Sequence, residues 1–96
     1  MPYVTITTWE IADGSDYDVA LRSIREKRLP ALIQLGATRV SVVRTSDRTS
    51  AAITEWPDLV TRDAAEHAIE EVRKKVHTED LSRMTGEMKG EIVAEV

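Results

Sequence analysis

The chain contains no cysteine, no phenylalanine and no asparagine. Lack of cysteine rules out disulfides, thiolate nucleophiles and Cys-ligated zinc. Histidine occurs only as His67 and His77, ten residues apart. From a regular helix these side chains leave in different directions, so they cannot hold one metal, and each reads as a surface histidine. Paired-carboxylate, H-x-x-x-H and G-x-S-x-G patterns are absent. Gly86 and Gly90 do not precede a helix, which argues against a phosphate loop. No metal and no cofactor are expected. No apolar run exceeds three residues, whereas a membrane-spanning helix needs ~20. Met1-Pro2-Tyr3-Val4-Thr5 has neither the basic stretch nor the apolar block of a signal peptide. A cytoplasmic protein without a membrane partner is expected. Positive charge is in deficit, 13 Lys and Arg against 17 Asp and Glu. The basic groups Arg22/Arg25/Lys27/Arg28 and Arg73/Lys74/Lys75 are broken or preceded by Glu26 and Glu70/Glu71. They read as solvated helix faces and not as a nucleic-acid surface.

What is present is an ordinary globular balance, 42% apolar and 31% charged over 96 residues. One domain spanning 1–96 is expected. A chain this short buries only about 60–65% of its unfolded surface, so a lone protomer is marginal. Tyr3 to Ile11 is β-branched and aromatic, a first strand. Asp13-Gly14-Ser15-Asp16 is a turn in which Ser15 or Asp16 caps the first helix. Tyr17, Leu21, Ile24, Leu32 and Leu35 then share a helical face that Arg28 interrupts. Pro30 predicts a kink, or a stop near Arg28 with a restart to Leu35, and Gly36 supplies the stop. Ala37 to Thr45 and Ser50 to Trp56 read as strands joined by a short polar connection. Asp58 or Thr61 caps a second helix with Ala65, Ala68, Ile69, Val72 and Val76 on its inner stripe. Thr78 begins a last turn through Leu81 and Met84 that ends at Gly86. Alternation over Glu87 to Val96 predicts the fourth strand.

The order β-α-β-β-α-β is α+β and ferredoxin-like, a four-stranded antiparallel sheet with two helices on one face. Whichever sheet face the helices cover, apolar or aromatic side chains remain on the other. The expected arrangement puts Val4, Ile6, Ala51 and Ile53 beneath the helices. Tyr3, Thr5, Thr7, Trp9, Thr54 and Trp56 are then on the open face. Such a patch calls for a second sheet, most simply in a C2 homodimer. Tyr3, Trp9 and Trp56 are the candidate ligand-binding residues, flat walls carrying one donor each. The alternative is that they fill a dimer core. Arg39 and Arg44 point to opposite faces of their strand, so one of them points inward. Arg44 is the candidate contact for an anionic group, against a rim salt bridge to Glu55 or Glu10. No catalytic residue can be assigned.

The element order, the L-P-A-L-I-Q-L-G-A segment from Leu29 to Ala37 and the T-E-W-P-D-L segment from Thr54 to Leu59 resemble the dimeric α+β barrel superfamily. Within it they resemble the antibiotic-biosynthesis-monooxygenase-like branch. The resemblance implies two sheets closing around a cavity. It also implies a homodimer that binds a small planar metabolite and performs cofactor-independent oxidation or isomerisation. Catalytic members commonly use an Asn, which is missing here, and many carry a His early in the second helix. The nearest counterpart, His67, is aimed away from the apolar stripe. The resemblance thus carries the fold and the dimer further than the chemistry. The alternative is a non-catalytic assembly domain with a filled interface.

Overall fold

The structure, a computed structural model, describes residues 1–12, 14, 16–79 and 82–96. Strands β1 (Tyr3–Ile11), β2 (Arg39–Arg44), β3 (Thr49–Trp56) and β4 (Ser82–Glu91) form one antiparallel sheet in the order β2-β3-β1-β4. The helices pack on one face of it. Helix α1 (Tyr17–Ser23) passes into a π-helical turn (Ile24–Arg28) and then α2 (Leu29–Gln34). After β3 come α3 (Leu59–Ala64) and α4 (Glu66–Glu79).

Local chemistry explains these limits. Asp16 is the cap of α1, its Oδ1 accepting from the Asp18 amide at 2.8 Å. Ser15, the other capping candidate, lies outside the described residues. The kink predicted at Pro30 takes the form of the π-helical turn. Proline has no N–H to give the preceding turn. The Leu29 amide reaches back to the Ile24 carbonyl, a bond one residue longer than in an α-helix. Gly36 ends the arm at φ +112°, and the Ala37 amide bonds to the Leu32 carbonyl at 3.2 Å. A Cβ at Gly36 would meet Thr61 Cγ2 at 3.0 Å. Gly36→Ala is therefore expected to cost about 1–2 kcal/mol, the penalty for a left-handed L-residue. A urea titration would show this as a lower midpoint with an unchanged slope.

Asp58 starts α3, its Oδ1 accepting from the Thr61 amide at 2.7 Å. That bond, with a contribution from the Thr61 side chain, holds the Asp58 carboxyl below its ordinary value of 3.8. A lowered folded-state value stabilises the fold above the unfolded value and loses the effect as pH falls through the folded one. The advantage of the parent over Asp58→Ala should be complete near neutrality. It should begin to shrink as the pH drops to about 3.8 and continue to shrink below it. Thermal melts across this range measure the gap, and a gap independent of pH contradicts the cap's ionic character.

Two expectations at the C-terminal end are corrected. β4 begins at Ser82 and ends at Glu91, so Met84 and Gly86 belong to a strand and not to a helical turn. Leu81 lies outside the described residues. The reason is length. β1 has nine residues to pair, and β4 matches it from Ile11↔Ser82 to Tyr3↔Glu91, with a register shift between Thr8 and Trp9. Residues 92–96 outrun the partner strand.

The larger correction concerns the sheet faces. Residues opposed across antiparallel strands point to the same side. Tyr3↔Trp56, Thr5↔Thr54 and Trp9↔Ser50 are opposed, and Tyr3, Thr5, Thr7, Thr54 and Trp56 are all buried. Tyr3 and Trp56 form the core with Ala37, Ala65 and Ile69, against Leu32, Leu35 and Val40. This is the face beneath the helices, the reverse of the expected assignment. Val4, Ile6, Ala51 and Ile53 are on the open face, with Ser41↔Ile53, Val43↔Ala51 and Ile6↔Met88. The inner stripe of the second helix is as predicted, with Ala65, Ile69 and Val76 buried.

Candidate functional site

Between the helices and the sheet lies a cavity of about 90 Å³. Its floor comes from Thr5, Thr7 and Trp9 of β1, Thr54 and Trp56 of β3, and Val40 and Val42 of β2. Its roof is Ile24, Arg28 and Leu29 of the π-helical turn and α2, with Ile69, Val72 and Val76 of α4. The volume is below the roughly 300 Å³ of a drug-sized pocket, and below the ~150 Å³ that admits benzene in an engineered core. It lies within a protomer and not between two.

The polar groups are few and specific. Trp9 Nε1 donates to Thr7 Oγ1 at 2.7 Å. The indole N–H of Trp56 is different. Trp56 is 1% exposed, and its Nε1 has no hydrogen-bond partner. A buried donor without a partner costs about 1–3 kcal/mol, so natural cores seldom leave one without a reason. Arg28, 8% exposed, also stands on the wall. Arg73 closes one side. Its Nη1 donates to Glu70 Oε1 at 3.1 Å and its Nη2 to Glu87 Oε2, tying α4 to β4. No Asp or Glu among the described residues lines the cavity. Nor do the described residues bring three His, Asp or Glu together as a metal site.

The sequence candidates separate. Trp9 and Trp56 meet at the cavity. Tyr3 does not line it; it lies across from Trp56 and belongs to the packed core. Arg44 is on the helix-side face but outside the cavity. Its guanidinium lies 4.1 Å from the centre of the Tyr17 ring, and its Nε donates to the Ser46 carbonyl. Arg39 lies across from Glu55 on the open face, whereas Glu10 accepts from Arg83 at 3.0 Å. His67 is exposed, as its helical position predicts. The surface position expected for His77 lies outside the described side chains. Arg28 and Arg73 are cavity residues that the sequence did not single out. The available signal was Arg28 itself, a cation set into the apolar stripe of a helix.

The fold can be compared with known structures. A dimeric ferredoxin-like protein from an uncultured marine organism superposes with a TM-score of 0.73 at 13% identity, over 100% of this chain and 98% of that one. A protein of unknown function from Nitrosomonas europaea gives 0.71 at 16% identity, over 99% and 92%. SnoaB, a cofactor-independent oxygenase from Streptomyces nogalater, gives 0.69 at 12% identity, over 99% and 94%. The likeness to the dimeric ferredoxin-like proteins expected from the sequence is therefore present in the fold, and it is a likeness of fold alone. No family model matches the chain, and no curated protein matches it. Among the described residues no helix is long and apolar enough to cross a membrane.

Proposed function

We propose that this chain is a homodimeric small-molecule-binding protein whose ligand site is the cavity inside each protomer. The ligand is a small planar metabolite with an acceptor oxygen beside Trp9 and Trp56, and the cavity of about 90 Å³ has to widen to admit even a single ring. The observation that carries this reading is Trp56 itself, a cavity-lining residue whose buried indole N–H has no partner. A carbonyl or phenolate oxygen placed there would offset the cost of burying that donor. The homodimer is supported by the apolar open face, where Met88 is 66% and Val43 46% exposed. The fold likeness to SnoaB makes cofactor-independent oxidation the first reaction to assay, with isomerisation second. A second reading, a non-catalytic assembly domain, is favoured by the small volume of the cavity.

A panel of one- and two-ring phenols, quinones and aryl ketones, followed by tryptophan quenching, separates the two. Binding is expected, and it should weaken about tenfold in Trp56→Phe, the worth of one hydrogen bond. Trp9 remains as the reporter in that variant. No saturable quenching up to millimolar concentration would remove the ligand reading and leave the assembly reading.

A further inference from the structure

The lining of the cavity runs against the charge of the chain. Over the whole sequence acids outnumber bases, 17 to 13. Among the described residues, the lining holds Arg28 and Arg73 and no carboxylate, amide or imidazole side chain. Its side-chain nitrogens, in Arg28, Arg73, Trp9 and Trp56, are all donors, and its other polar side chains are threonine and serine hydroxyls. A guest that suits such a wall must bring acceptors of its own. Arg73 has Nη1 on Glu70 and Nη2 on Glu87, so two carboxylates offset its charge. Arg28 is 8% exposed, and the π-helical turn carries it between Ile24 and Leu29, which both line the cavity with it. In a regular α-helix Ile24 and Leu29 would leave about 140° apart. π-Helical turns recur at functional sites.

We propose that the ligand is an aromatic carboxylate whose carboxylate group is held by Arg28. The proposal rests on the ligand reading above. A guanidinium presents its N–H groups as a planar fork that fits the two oxygens of a carboxylate. It has five N–H donors, so Arg28 can hold a neighbour in the protein and a ligand oxygen together. The low dielectric around a buried guanidinium strengthens such a bond. Leu32, Val40, Val42, Ile69 and Val72 give the lining an apolar part that suits the ring. A neutral ketone or quinone could make the same contact to Trp56 but would gain nothing from the charge of Arg28.

The test compares benzoate with benzamide near neutral pH. The two are close in size and shape, so the cost of widening the cavity is common to both and cancels in the ratio of affinities. Heteronuclear NMR reads binding from the indole N–H signals of Trp9 and Trp56. Benzoate should bind about tenfold or more tighter than benzamide, the worth of a hydrogen bond to a charged group. In the parent, the Arg28 Nε–H signal should shift with benzoate and stay in place with benzamide. In Arg28→Gln the preference should fall below about threefold with benzamide binding little changed, while Arg28→Lys, which keeps the charge without the fork, should retain part of it. Equal binding of the two by the parent overturns the proposal and leaves the ligand reading standing. So does benzoate that leaves the Arg28 signal unmoved, a readout that needs no variant to fold. A preference unchanged in Arg28→Gln overturns it as well. Phenols that bind where neither benzoate nor benzamide does overturn the proposal alone. If nothing in either set binds, the ligand reading fails and takes the proposal with it.

Discussion

Trp56→Ala is expected to lower the unfolding free energy by about 3–5 kcal/mol, the range for emptying a buried aromatic site. Trp56 is 1% exposed and joins β3 to Tyr3 on β1 and to Ala65 and Ile69 above them. A domain of this length has roughly 5–15 kcal/mol in total, so the change removes at least about a fifth of it. Trp56→Phe should behave differently. It keeps most of the ring burial and removes an unpaired N–H whose burial costs about 1–3 kcal/mol in the empty protein. The two terms oppose each other, and the net change should be under about 1.5 kcal/mol. Denaturant titration of both variants decides this. If Phe costs as much as Ala, the indole N–H is paired in solution, and the argument for a ligand oxygen beside it fails. If Phe is close to neutral, the donor is a burden that the empty fold carries.

The second large effect lies on the opposite face. In the proposed homodimer, Ile53→Lys should convert the dimer into a monomer, with at least a hundredfold rise in dissociation constant. Ile53 is on the open face between Ile6 of β1 and Ser41 of β2. Two apposed sheets would bury one such lysine from each copy without a counter-ion. An unpaired buried charge costs several kcal/mol, and two of them more than a typical dimer can absorb. The fold should survive, because position 53 points away from the helices. Circular dichroism and sedimentation together test this. A folded Ile53→Lys variant that remains dimeric places the interface elsewhere.

The order of elements was legible in the sequence because each boundary has a local cause. Asp16, Gly36 and Asp58 act within a turn of the helix ends they set. The choice of sheet face was not legible, and the reason is physical. Val4, Ile6 and Ile53 are more apolar than Thr5, Thr7 and Thr54, so hydropathy assigns the threonines to water. In the structure those threonines floor a cavity, and Thr7 accepts the Trp9 N–H. The aliphatic set is left uncovered in the protomer, as a surface reserved for another sheet would be. Two partly apolar faces cannot be ordered by hydropathy when one of them lines an internal space. Of the four candidate residues, the meeting of Trp9 and Trp56 at the cavity was legible because aromatics on a shared face converge. Arg44 was not, because alternation gives the side of the sheet but not the distance to the cavity.

The π-helical turn has a consequence for the internal space. Its overlong backbone bond joins two residues that line the cavity with the Trp floor, immediately before a proline that supplies no amide to brace it. Ile24, Arg28 and Leu29 of the cavity wall therefore belong to the least regularly bonded stretch of the helical arm.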